Sequence, residues 1–274
     1  MNTLAARRTR NLGMTVVAAL LILWLSDVMT TALQDTSRMS GWGLLAMIGF
    51  LAAYNLRKKL ALLPLGSSAS WLQLHIYIAL LTAVVFGVHL NWKMPNGLVE
   101  SILALLYLLV FASGVVGLFL SRSLAKRLTT RGEEVLFERI PVYRKRIQAE
   151  VEAIVFSGLE ESESTAVAQF YADRLREFFL QTRNFWQHLV QSNRFRFGLL
   201  KEMQAYGRYL DESERAMMTR LVTCVEAKDD LDYQFSLQAT LKYWLFIHVP
   251  LTYALLVFAA LHLLLVSAFS GGVS

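Results

Sequence analysis

Five histidines occur in the chain, and four of them, His75, His89, His248 and His262, fall inside strongly apolar stretches. An ionisable imidazole is costly to keep in hydrocarbon, so its presence there marks a candidate site. His75 and His89 form an H-x13-H pattern, and so do His248 and His262. At about 100° per residue, that spacing completes nearly four helical turns and rises about 21 Å. Both members of a pair then share one face of their helix, with one imidazole near each end of a membrane span. No single metal ion reaches both. Two such helices running in the same direction bring His75 to the depth of His248 and His89 to the depth of His262. One neutral imidazole from either side, at two depths, is the ligand set of two stacked b-type haems. A single cysteine, Cys224, excludes a C-x-x-C-H covalent haem attachment, a disulfide framework and a four-cysteine iron–sulfur site, so the expected cofactors are two non-covalent haem b groups.

The elements that position these histidines are legible in the hydropathy. Of the 274 residues, 55% are hydrophobic and 18% charged, too apolar for an ordinary soluble domain. Five apolar stretches, at about 12–33, 41–56, 71–92, 98–120 and 242–268, approach the roughly 20 residues needed to cross a bilayer core. The second is the shortest, and a short stretch also suits an interfacial or re-entrant segment. If all five span, Arg7, Arg8 and Arg10, then Arg57, Lys58 and Lys59, then Arg122, Lys126 and Arg127 fall on one side, which the positive-inside rule makes cytoplasmic. Trp42 and Trp92 then mark the outer interface and Trp71 and Trp244 the inner one. The expectation is an all-α integral membrane bundle of about five transmembrane helices. Its N-terminus is expected in the cytoplasm and its C-terminus outside, in a bacterial inner membrane. The basic residues ahead of the first stretch also suit a cleavable signal peptide, but the apolar run is long for one and is read as a span.

Between the fourth and fifth stretches lies a polar segment, which divides the chain into 1–121, a helical cytoplasmic insert 122–241, and 242–274. The insert holds 18 basic and 18 acidic residues, so the net charge of +6 belongs entirely to the membrane part. That placement is a topology signal and argues against nucleic acid as a partner. Tyr143 to Phe156, Thr165 to Phe179 and Arg215 to Lys228 show helical spacing, and Asp211-Glu212-Ser213-Glu214 has the pattern of a capping box. No G-x-G-x-x-G follows a strand and no P-loop is present. His188 reads as an ordinary helix residue with no evident partner.

The doubled H-x13-H pattern resembles that of dihaem membrane cytochromes b: the respiratory cytochrome b of quinol:cytochrome c oxidoreductases and the ferric-reductase-type transmembrane modules. The resemblance implies axial ligation of two haem irons by His75, His248, His89 and His262, and it covers the third to fifth stretches. The long insert, the lack of a Pro-Glu-Trp-Tyr-like quinol motif and the lack of a flavin or nicotinamide domain depart from those families. The expected function is therefore electron transfer across the membrane between an inner haem (His75/His248) and an outer one (His89/His262), as part of a larger redox system. Expected partners are the lipid membrane, an iron–sulfur or flavoprotein inside, and a cytochrome c or quinone outside. Three alternatives stand beside it: a stand-alone quinol- or metal-reducing haem enzyme, a proton or metal-ion pathway, and a signalling or scaffold protein whose histidines only pack.

Weaker candidates surround these residues. Ala79, Thr82 and Phe86, with Thr252, Leu255 and Ala259, lie on the histidine faces, and Phe86 and Leu255 are expected to fill the gap between the two rings. Gly114 and Gly117 give the fourth stretch a small face for helix packing or a haem edge. Pro250 is expected to kink the helix beside His248. Arg57, Lys58, Lys59 and Lys242 inside, and Asn91, Lys93, Arg38 and Ser267 outside, are candidate propionate partners. Gln73, Tyr77 and Tyr243 are candidates to border a quinone pocket.

Overall fold

A computed structural model describes residues 4–59, 67–129, 135–161, 165–181 and 184–270. Among them every regular element is helical: α1 (Leu4–Thr31), α2 (Thr36–Lys59), α3 (Ser68–His89), α4 (Leu98–Leu128), α5 (Ile140–Glu161), α6 (Ala166–Phe170), α7 (Arg176–Leu180), α8 (Phe185–Leu189), α9 (Arg194–Tyr206) and α10 (Glu212–Ser270), with a π turn (Tyr171–Leu175) joining α6 to α7 and short 3-10 turns before α5 and after α9. Four helices, Arg8–Thr31, Ser68–His89, Leu98–Leu128 and Glu212–Phe269, are long and apolar enough to cross a membrane. The chain is accordingly a helical membrane protein by length and composition. The second apolar stretch lies on α2, a helix of 24 residues that is not one of those four.

The chain divides into two compact units, one of residues 1–118 with 245–274, the other of residues 119–244. In the first, α2 and α1 both pack on α3. Its core gathers Leu44, Ile48, Val85, Tyr107 and Leu255, with Phe86 and Phe111 packed against them. Large side chains of α1, Leu20, Leu21 and Trp24 among them, stay exposed, as a surface facing lipid requires.

The second unit buries a separate core. α5 contributes Val151 and Ile154, the α6–α7 segment Phe170, Leu175 and Phe178, α9 Leu199 and Met203, and α10 Met218, Leu221 and Val225, at the i, i+3/i+4 spacing of helical faces. Cys224 is one of these core residues and is a free thiol. α10 runs 59 residues, because no glycine or proline interrupts it before Pro250, and the helix continues through that proline. Pro250 has no N–H to give to the preceding turn, while the Thr252 hydroxyl donates to the His248 carbonyl at 2.8 Å, a back-bond of the kind that bends helices.

The start of α10 is the capping box read in the sequence. The Glu214 amide donates to the Asp211 carboxylate at 2.8 Å, and the Asp211 amide donates to the Glu214 carboxylate at 3.1 Å. The Glu214 amide, followed by the Ser213 hydroxyl, holds the Asp211 carboxyl below its ordinary range. A depressed carboxylate pKa stabilises the fold above the ordinary aspartate range and loses that stabilisation as pH falls through the folded-state value. Protection of the first amides of α10 against hydrogen exchange, corrected for intrinsic rate, should therefore drop on acidification below the aspartate range. The Asp211→Ala variant should start low and show no such step.

Candidate functional site

All four membrane histidines lie in the first unit, on α3 and α10. At the level of His89, the His89 and His262 rings have centroids 6.3 Å apart and planes at 88°. Metal–imidazole bonds of about 2 Å on both sides of one ion put two ring centroids about 6 Å apart. At the other level His75 and His248 lie within electrostatic reach of one another. The structure thus places His89 beside His262, and His75 within electrostatic reach of His248. Among the described residues no group of three or more His, Cys, Asp or Glu side chains could hold a bare metal ion. Two imidazoles per level suit a metal whose other ligands come from a macrocycle.

The surroundings of each imidazole decide what it offers. His89 ends α3, and its Nδ1 lies 2.9 Å from the Ser37 carbonyl at the start of α2. A carbonyl only accepts, so this nitrogen carries the proton and Nε2 keeps its lone pair. The same serine is used twice, since its hydroxyl accepts from the Asn91 amide at 2.7 Å. Gly41, one turn further along α2, leaves the space that the ring occupies: a Cβ there would stand 2.9 Å from His89 Cε1. Behind His89 the chain turns sharply, with Asn91 at φ 50° and Trp92 at φ 56°. That turn folds Trp92 back over Gly87, where an added Cβ would meet the indole at 2.7 Å.

At the other level His248 Nδ1 lies 2.7 Å from the Ser113 hydroxyl of α4. Gly114, next to it, faces the same ring, with His248 Cε1 3.7 Å from the position of a Cβ. Tyr54 of α2 packs a tilted ring on His75 at 5.3 Å, and the Leu51 carbonyl lies beside the imidazole. His75 Nδ1 is buried and, among the described residues, meets no hydrogen-bond partner.

Between the two levels the helices are filled by side chains. Thr82 and Leu255, each midway between the two histidines of its own helix, are 2% exposed. Leu255 and Phe86 join the same cluster, as expected from the histidine faces. Tyr107 of α4 belongs to no spacing pattern, yet its ring stacks on Phe86 at 4.0 Å and its hydroxyl meets that of Thr82 at 3.0 Å. Its one mark in the sequence is a tyrosine in mid-span.

Several weaker candidates are engaged elsewhere. Lys242 donates to Glu138 at 2.7 Å and sits 3.9 Å from the centre of the Phe137 ring. Asn91 is held by Ser37, and the Ser267 hydroxyl bonds back to the Leu263 carbonyl at 2.7 Å. Gln73 accepts from Asn11 at 3.4 Å and the Tyr77 hydroxyl donates to the Arg8 carbonyl at 3.4 Å, both across to α1. The side chains of Arg57, Lys58 and Lys59 lie outside the described residues. In the second unit His188, read from the sequence as a helix residue with no evident partner, lies on α8 and has neighbours of its own. It is 4% exposed, its Nε2 lies 3.7 Å from an Asp229 oxygen, and its ring meets Tyr233 edge-on.

Compared with protein-family models, with curated proteins and with solved structures, the chain matches none.

Proposed function

We propose that the chain is a dihaem b-type membrane cytochrome of five transmembrane helices, with residues 122–241 as a helical cytoplasmic insert, and that it passes electrons between an inner and an outer face of a bacterial inner membrane. The observation that carries this reading is the pairing of His89 with His262 at a ring separation of 6.3 Å, with His89 Nδ1 committed to a backbone carbonyl. The other two histidines, His75 and His248, stand one H-x13-H spacing away on the same two helices. A proton pathway or simple polar packing of helices gives no reason for that repeat.

Bound haem supplies reversible one-electron chemistry at iron. The chain's own residues do the rest. His75 and His248 hold the inner position and His89 and His262 the outer one. Ser37 fixes the tautomer of His89, and Gly41 and Gly114 keep methyl groups out of the space beside the rings. Phe86, Tyr107 and Leu255 exclude water from the gap between the levels. Because α2 packs on α3 and supplies Ser37 to the outer ligand, it serves best as the fifth span. With no flavin or nucleotide motif of its own, the chain takes electrons from, or gives them to, partners: an iron–sulfur or flavoprotein at the cytoplasmic insert, and a cytochrome c or quinone outside.

A reduced-minus-oxidised absorbance spectrum of the purified protein, with haem quantitation, tests the proposal. The expected result is a b-type spectrum with two haems per chain, released by acidified organic solvent because nothing attaches them covalently. Protein that is folded and free of haem after expression with ample haem supply would remove the reading. Steady turnover of a quinol or ferric chelate by the chain alone would move it to a self-sufficient enzyme.

A further inference from the structure

We propose that Ser113 is a positioning residue that fixes the tautomer of His248 and sets the redox poise of the inner level separately from the outer one. The proposal rests on the reading of His248 as a haem ligand. The Ser113 hydroxyl lies 2.8 Å from the Val110 carbonyl, which can only accept, and 2.7 Å from His248 Nδ1. With its proton directed to the carbonyl, the oxygen accepts from Nδ1–H. His248 is then the Nδ1–H tautomer, which places the imidazole lone pair on Nε2. A hydrogen bond from the far nitrogen raises the basicity of a ligating imidazole and fixes its orientation, and loss of such a partner weakens binding about 10–100-fold.

The two levels reach the same tautomer by different means. His89 donates to a main-chain carbonyl, which no side-chain substitution removes. His248 donates to a side-chain hydroxyl, which a single substitution deletes. Gly114 beside Ser113 leaves the ring room to swing once that hydroxyl is gone, since a Cβ there would only make ordinary contact at 3.7 Å. Ser113 is thus a point at which the inner level alone is adjustable.

Ser113→Ala and Ser113→Thr test this with two readouts. In haem-free protein carrying 15N-histidine, two-bond 1H–15N spectra should show His248 as the Nδ1–H tautomer in the wild type, shifted toward Nε2–H in Ser113→Ala and restored in Ser113→Thr. In haem-loaded protein, potentiometric titration should show one midpoint potential moved upward in Ser113→Ala, because a less basic ligand stabilises ferric iron less. The other midpoint should stay in place, and Ser113→Thr should return the first. An Nδ1–H tautomer retained in Ser113→Ala, or a tautomer shift with both potentials unmoved, overturns the proposal. Wild-type protein that takes up no haem overturns the reading of His248 as a ligand, while the tautomer spectra still report on Ser113.

Discussion

His89→Ala is expected to lower the haem content from two per chain to one, halve the reduced-minus-oxidised amplitude and leave a single midpoint potential. In the proposed dihaem arrangement this residue supplies one of the two iron–imidazole bonds of the outer level, and the neighbours that touch its ring cannot replace it. Ser37 offers a carbonyl that already faces the ring, and Gly41 offers no side chain at all. The inner level should survive, because the H-x13-H spacing sets His89 about 21 Å along the helix from His75. The space between is packed by Thr82, Val85, Phe86, Tyr107 and Leu255. His248→Ala should give the complementary result and retain the outer haem. His188→Ala, in the second unit, should leave both haems in place. If all four membrane histidines can be replaced one at a time with no change in haem content, none of them is a ligand. Loss of both haems from each single variant would instead mean that the levels fold cooperatively, and the retained spectrum of His188→Ala separates that from general misfolding.

The candidate ligands are conspicuous in the sequence, but what holds them is not. Two equal H-x13-H spacings in apolar surroundings single out His75, His89, His248 and His262 from composition and periodicity alone. Their orienting partners carry no such signal. Ser37 acts on His89 through its main-chain carbonyl, an atom every residue possesses, and Ser113 is 135 positions from His248. Such contacts are decided by how helices pack, which no local pattern encodes. The length of α10 is more accessible, since no glycine or proline lies between its capping box and Pro250, yet its polar and apolar halves read as separate segments. Local hydropathy misleads most at Lys228-Asp229-Asp230-Leu231-Asp232. This run looks like a solvated face leading into a membrane span. Lys228, Asp229 and Asp232 are instead buried, because α10 is surrounded there by other helices of its unit. Only the i, i+4 spacing of Lys228 and Asp232 hints at the ion pair between them.

That buried pair yields the largest stability effect expected in the second unit. Lys228 and Asp232 are each 1% exposed and bonded to one another, and Arg144 of α5 reaches the other Asp232 oxygen at 2.5 Å. Lys228 also donates to the Gln181 carbonyl at 2.7 Å and lies 4.2 Å from the centre of the Phe178 ring. Burial, only partly offset by Asp232, draws the lysine pKa below its ordinary range, so the charged form is held there at some cost. Asp232 is the anion that bonds to both Lys228 and Arg144. Asp232→Ala leaves the buried Lys228 and the half-buried Arg144 facing each other without it, and breaking a buried pair in this way costs about 3–5 kcal/mol. Lys228→Met removes a cation, supplies apolar volume and leaves Asp232 bonded to Arg144, so it should cost clearly less. For a chain of this size the first loss corresponds to a fall of on the order of 10 °C in the melting temperature of the second unit. Thermal unfolding in detergent, followed by far-UV circular dichroism and by the protection of core amides around Leu221 and Met203, measures both variants. Equal losses for the two would show that Asp232 is not the hub of the cluster. A loss greater for Lys228→Met than for Asp232→Ala would place the hub at the lysine, whose bonds to Gln181 and Phe178 would then outweigh the charge balance.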